Sequence, residues 1–177
     1  YSLRFERSGD AWLQDGFAAY AALRYLEVED AEGFSVGLAR EAISALKYEG
    51  QAPISRGLDL ELGSAQYQSI VGSKGAWILY MLSQLVGKEK LNSDLGEWYR
   101  RKAHQAATTE ELIDFMQEKT GEDYGWFFVQ WVDSVGIPEF RNEYTIYKLR
   151  DGNYKIRGQI KQDLELFRMP VDVLIET

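Results

Sequence analysis

Apolar residues recur at every third or fourth position through most of the first 137 residues, a spacing typical of helices that pack on one face. The pattern predicts helices over residues 10–27, 31–48, 74–86, 88–105, 108–121 and 124–135. Asp10 is the expected N-cap of the first helix, and Thr108 with Glu111 has the spacing of a capping box. Because the segment 74–86 is apolar on nearly all sides, we expect it to be the buried central helix.

The pattern changes to an alternation of period two after Pro138, as in strands. Asp151 and Gly152 have the composition of a hairpin turn, and residues 169–175 predict a third strand. The sequence therefore predicts a mainly α fold followed by a small antiparallel sheet. We place the boundary between residues 1–137 and 138–177.

Composition excludes several functional classes. The 177-residue chain has a formal net charge of -8, one His and no Cys. The acidic balance disfavours nucleic acid as a partner, and without Cys neither a disulfide nor a thiolate metal site can form. The longest apolar run, residues 75–86, is shorter than the roughly 20 residues of a membrane span, so no transmembrane segment is expected in this chain.

Few residues of the chain carry recognisable chemistry. A two-histidine zinc site cannot be assembled from the lone His104, which we expect to lie on the surface. The run Gly72 to Gly75 has only part of a phosphate-loop pattern, and the simpler interpretation is a helix start with an exposed Lys74. Asp15 stands near a helix start, where such an acid often serves as a cap or a partner of the helix dipole.

The segment from Trp12 to Tyr20 (WLQDGFAAY) resembles the Trp-Leu-Asn-Glu-Gly-Phe-Ala-x-Tyr segment of the aminopeptidase N family, the zinc gluzincin aminopeptidases that include leukotriene A hydrolase. Further segments resemble the family in the same order along the chain: residues 73–76, 108–115 and 127–138. The resemblance implies the helical C-terminal subdomain of a gluzincin (thermolysin-like) catalytic domain, followed by the first strands of a β-sandwich domain.

The resemblance also implies a metal site. In the family, the Glu of this segment is the third zinc ligand after a His-Glu-x-x-His helix, and Asp15 occupies its place. The other ligands are then expected upstream of Tyr1, with zinc bound in the intact parent and none in this chain alone. The family's transition-state Tyr aligns with Gly72, which has no hydroxyl, so Tyr67 is the candidate that could partly replace it.

Two functions follow from the resemblance. In the first, the chain is part of a zinc-dependent aminopeptidase that hydrolyses N-terminal residues from peptides, and it is inactive alone. Its expected partners are the peptide substrate and the rest of its own catalytic domain. In the alternative, favoured by Asp15 and Gly72, the chain is a catalytically dead aminopeptidase-like scaffold for protein or peptide binding.

Overall fold

Apart from two strands of two residues each, at Arg4–Phe5 and Ala106–Ala107, the elements follow the predicted order of helices and then strands. A computed structural model describes residues 4–5, 8–171 and 173–174. The helices are α1 (Trp12–Glu29), α2 (Ala31–Lys47), α3 (Ala65–Tyr67), α4 (Lys74–Val86), α5 (Lys88–Arg101), α6 (Thr109–Thr120) and α7 (Gly125–Val132), with a π-helical segment at Gln68–Ser73. The strands are β1 (Arg4–Phe5), β2 (Ala106–Ala107), β3 (Phe140–Lys148) and β4 (Tyr154–Gln162). Short 3-10 helices lie at Ser8–Asp10 and Ile54–Asp59.

Local sequence signals set several helix ends. The predicted capping box is confirmed: the Thr108 hydroxyl accepts a hydrogen bond from the Glu111 amide at 3.2 Å, and the Glu111 carboxylate accepts one from the Thr108 amide at 3.0 Å. α4 and α6 end at Gly87 and Gly121, whose φ angles are +93° and +76°. Glycine adopts these positive φ angles without the steric cost of a Cβ atom.

Asp10 does not cap the first helix, so that prediction was wrong. Its buried carboxylate instead accepts hydrogen bonds from the Thr109 amide at 2.7 Å and the Thr109 hydroxyl at 2.9 Å. The Trp12 indole donates to the same hydroxyl at 3.0 Å. Asp10, which precedes α1, thus accepts hydrogen bonds from the first residue of α6. The cluster joins the N-terminal ends of the two helices.

The predicted central helix, α4, is buried, and α1 crosses it at two glycines. Its side chains Ile78, Leu79 and Leu82 have no exposed surface. A Cβ atom built on Gly16 would lie 2.8 Å from the Gly75 Cα, and one built on Gly75 would lie 2.9 Å from the Gly16 Cα. A side chain on either glycine would therefore clash with the backbone of the other helix. Backbone atoms, unlike side chains, cannot relieve such a clash by changing rotamer.

Lys74 was expected to be exposed, and this was also wrong. It is 5% exposed, and its ammonium group donates to the Glu49 carboxylate at 2.9 Å and to the Ser134 carbonyl at 3.4 Å. Beside this pair, the Ser73 hydroxyl donates to the Ser44 hydroxyl at 2.9 Å. A buried amine needs such partners because leaving it unpaired would cost several kcal/mol. These contacts fix α2 against the start of α4.

The residues after α7 form a hairpin. β3 and β4 pair antiparallel with Ile146 opposite Ile156, and Gly152 in the connecting turn has φ +89°. The predicted third strand is not formed at the described residues 169–171 and 173–174, and the rest of that prediction lies outside the described residues. Pro170 in this segment lacks the amide that a sheet ladder requires.

The chain forms two compact units, Tyr1–Val135 and Gly136–Thr177. The first holds the helices and the second holds the hairpin. Among the described residues, no helix combines the length and apolar character that a membrane span would need.

The helix crossing yields a first prediction. Gly16→Ala should lower the free energy of unfolding by about 1–3 kcal/mol, because the new methyl group meets the Gly75 backbone. Gly96→Ala in α5 is the matched control: its Cβ would lie 3.5 Å from the end of Arg100, an ordinary contact, so alanine should raise stability by up to ~1 kcal/mol. Urea unfolding of both variants measures the difference, and equal effects would contradict the proposed close crossing.

Candidate functional site

Asp15 lies in the first turn of α1 but does not cap the helix. Its side chain is half-buried, and Oδ2 accepts a hydrogen bond from the Tyr67 hydroxyl at 2.7 Å. Oδ1 has no hydrogen-bond partner among the residues that the structure describes. The carboxylate is therefore held at one oxygen and open at the other.

Tyr67 is placed by the short helix α3. The Ser64 hydroxyl accepts a hydrogen bond from the Tyr67 amide at 3.0 Å, which caps α3. The Tyr67 side chain is 7% exposed. Burial raises the pKa of its phenol well above the usual value, and the hydrogen bond to Asp15 and its negative charge raise it further. The phenol thus stays protonated and remains a donor at neutral pH.

An open cavity of about 630 Å³ lies beside these two residues. Its lining includes Asp15, Tyr67, Gln68, Gln14 and Leu62. The two sequence candidates, Asp15 and Tyr67, are thus brought together at one cavity although 52 positions separate them in the chain. Among the described residues of that lining, Asp15 is the only acidic side chain.

Gly72 lies in the π-helical segment that connects α3 to α4. Single π turns within α-helices are rare and occur often at functional sites. A Cβ atom built on Gly72 would lie 2.5 Å from Gln68 Nε2. The carboxamide of Gln68 therefore occupies the space that a side chain at position 72 would need.

Asp15 fits a metal site as one ligand. A carboxylate oxygen is a good zinc ligand, and a catalytic zinc normally has three protein ligands. Within residues 4–5, 8–171 and 173–174, no group of three or more His, Cys, Asp or Glu side chains could hold a metal ion. Any metal bound at Asp15 thus needs further ligands from outside the described residues.

The other sequence candidates lie away from this cavity. His104 is exposed, as expected, with a positive φ of 65°. Phe127 and Phe128, which begin the segment 127–138 that resembles the family, are 2% and 1% exposed, so they fill the core. Sequence reasoning missed Gln68, whose only signal is the glycine four residues later that leaves room for its side chain.

The fold of the chain is similar to that of solved metallopeptidases. An M1 zinc metallopeptidase variant from Deinococcus radiodurans, solved with a Tyr-Ser-Ala substrate, matches 74% of this chain and 29% of its own, with a TM-score of 0.55 and 20% identity. A two-domain M1 zinc metallopeptidase variant bound to L-tryptophan matches the same shares with a TM-score of 0.57 and 21% identity. Likeness at this identity shows the fold alone.

Sequence comparison gives the family. The model of the peptidase family M1 domain matches residues 5–131, so the chain belongs to peptidase family M1. Aminopeptidase M1-B of rice (Oryza sativa) is 27% identical over 151 residues, covering 80% of this chain and 16% of the relative. Aminopeptidase N of Lactococcus lactis is 26% identical over 136 residues, covering 73% of this chain and 16% of the relative. The resemblance predicted from the motifs is confirmed, and the chain spans about a sixth of the length of these relatives.

The environment of Tyr67 yields a second prediction. Its phenol should not ionise as the pH rises to about 10, the ordinary value, and Asp15→Asn should lower its pKa without restoring the ordinary value, because burial remains. The proton is bound more tightly in the folded state, so this contribution to stability is present below about pH 10 and is lost as the pH rises through the folded pKa.

NMR of protein labelled with ¹³C at the tyrosine Cζ measures this titration. The resonance missing from Tyr67→Phe identifies the residue. A Tyr67 phenol that ionises at or below the ordinary value, or that is indifferent to Asp15→Asn, would contradict the hydrogen bond.

Proposed function

We propose that this chain is the helical half of the catalytic domain of a zinc-dependent aminopeptidase. In this proposal residues 1–137 form a wall of the peptide cleft, and Asp15 supplies the third zinc ligand. The observation that carries the proposal is the Asp15 carboxylate, which lines the cavity and is held by Tyr67 at one oxygen, while the other oxygen has no hydrogen-bond partner among the described residues. Membership of peptidase family M1 supports it.

A bound zinc ion would supply Lewis-acid chemistry toward a peptide carbonyl and a water molecule. The residues of this chain have simpler tasks. Tyr67 fixes the orientation of the Asp15 carboxylate through Oδ2, which leaves Oδ1 for the metal. Hydrogen bonds of this kind to a ligand raise its affinity by restricting its rotamers before the metal binds.

α1 has the exposed surface that a cleft wall requires. A second open cavity, of about 770 Å³, lies along α1 beside α5, and Gln14 and Ala18 line both cavities. Phe17 and Leu95 give this second cavity an apolar lining. The two cavities share Gln14 and Ala18 and therefore adjoin along α1, and in this proposal the extended peptide lies across both.

Tyr67 has a positioning role in this proposal. A phenol has one proton to donate, and here Asp15 accepts it. Acting on the substrate as well, as the sequence suggested, would require Tyr67 to release Asp15. We therefore assign Tyr67 the role of orienting Asp15, the proposed metal ligand.

The third prediction tests the zinc ligand in the intact protein that contains this chain. We expect one zinc per protein by elemental analysis, and hydrolysis of aminoacyl-anilides. Asp15→Asn should lose the metal and the activity, because an amide oxygen is a much poorer zinc ligand, whereas Asp15→Glu should keep the metal. Asp114→Asn, at an exposed position of α6, is the control and should change neither.

The outcomes separate the two functions. Zinc binding unaffected by Asp15→Asn would overturn the ligand assignment. An intact protein that binds no zinc and hydrolyses no anilide would favour the scaffold alternative. The glycine at position 72 and the short Asp15 side chain also favour that alternative. The isolated 177-residue chain should be inert under either function.

The fourth prediction concerns Tyr67. Tyr67→Phe should lower zinc affinity about 10- to 100-fold, the usual cost of losing a hydrogen bond to a metal ligand, without changing the number of zinc ions at saturation. Titration with a competing chelator measures it. If zinc affinity were unchanged and kcat were reduced, the Tyr67 hydroxyl would instead act on the substrate.

A further inference from the structure

Gln68 is one of two carboxamide side chains, with Gln14, that line the cavity without a hydrogen-bond partner among the described residues. It is exposed and lines the same cavity as Asp15 and Tyr67. Its carboxamide has no hydrogen-bond partner among the described residues. A carboxamide offers two N–H donors and one acceptor oxygen, the groups that recognise a peptide backbone.

The glycine at position 72 leaves the space that this carboxamide occupies. In a helix, a side chain covers the surface over the turn that precedes its own Cα. A side chain at position 72 would thus extend over residue 68, and the Cβ distance of 2.5 Å to Gln68 Nε2 shows that the two cannot share the space. The glycine at 72 and the carboxamide of Gln68 form one arrangement: removing the first side chain makes room for the second.

We propose that Gln68, seated over Gly72, donates a hydrogen bond to the carbonyl oxygen of the peptide bound beside Asp15, and to the oxyanion that develops from it. This proposal rests on the proposed peptidase function. Tyr67 is unsuited to this task because its proton is given to Asp15, and the position that aligns with the family's tyrosine has no side chain. Amide side chains are known oxyanion donors.

The test uses the intact, zinc-loaded protein and a phosphinic dipeptide, which carries a stable tetrahedral oxyanion and is not hydrolysed. Gln68→Ala should weaken phosphinate binding about 10- to 100-fold in calorimetry, the effect of losing one hydrogen bond to a charged group. Zinc content and zinc affinity should stay unchanged. In kinetics the same variant should lower kcat more than it changes KM, because the bond strengthens as the oxyanion forms.

Gly72→Ala provides a second variant that leaves Gln68 itself in place. Its methyl group displaces only the flexible end of Gln68, so the protein should fold. The carboxamide should then no longer occupy its position over residue 72. We expect Gly72→Ala to weaken phosphinate binding about as much as Gln68→Ala, and the double variant to be no weaker than either. Gly50→Ala is the control and should bind normally, because its methyl group would meet no atom within 4 Å and Gly50 lines neither cavity.

Each other result overturns a stated part. Phosphinate binding unchanged in Gln68→Ala overturns the donor role, while activity and zinc binding keep the peptidase proposal standing. Loss of zinc in Gln68→Ala would assign Gln68 to the metal site instead. Weakening by Gln68→Ala but not by Gly72→Ala overturns the seating over Gly72. An intact protein that binds neither zinc nor the phosphinate overturns the peptidase function and the role of Gln68 together.

Discussion

The contact between the backbones of α1 and α4 at Gly16 and Gly75 determines where the candidate site lies. Helix axes are usually held apart by the side chains between them, and here neither helix has one at the crossing. Asp15 precedes the first of these glycines, and the π-helical segment ends just before Lys74, next to the second. The crossing therefore places the carboxylate of α1 within a hydrogen bond of Tyr67. A bulkier crossing would separate the two.

A close crossing alone would leave the helices free to rotate, and the polar contacts behind α4 limit that freedom. Lys74 can reach Glu49 only from one orientation of α4, and Ser73 meets Ser44 on the same side. A buried ion pair adds little net stability, because desolvation offsets most of its attraction, but a rotated helix would leave a charge buried without a partner. The apolar contacts thus supply most of the stability, and the pairing of Lys74 with Glu49 disfavours a rotated α4.

The sequence predicts the elements well because periodicity and caps are local. The helix 74–86, the Thr108 capping box and the Asp151–Gly152 hairpin turn follow from residues a few positions apart. The errors concern side chains whose partners are distant in the chain. Asp10 accepts a hydrogen bond from Thr109, and Lys74 donates one to Glu49. The spacing of residues along the chain does not predict either pairing. The predicted third strand is not formed at its described residues, because a strand needs a neighbouring strand, which the alternation of its own residues cannot provide.

The residues of the candidate site likewise include some that the sequence predicts and one that it does not. Asp15 could be identified from a motif, since its segment carries the family pattern over nine consecutive residues. The glycine at position 72 shows from sequence alone only that a hydroxyl is missing. That Gln68 fills the vacated space depends on the π-helical turn, which brings its carboxamide over the glycine Cα. No propensity rule predicts that turn.

Two of the departures from the family pattern, at Asp15 and at Gly72, have a common physical consequence. Asp15 is one methylene shorter than glutamate and has fewer rotamers, so a single hydrogen bond is enough to fix its carboxylate. The Tyr67 hydroxyl provides that bond and, with one proton, can serve no other acceptor. A donor to the substrate must then be a different group, and an uncharged amide keeps its N–H groups at any pH. In the proposed site, Tyr67 orients the Asp15 carboxylate and Gln68 contacts the peptide, so neighbouring side chains of one short segment perform the two tasks.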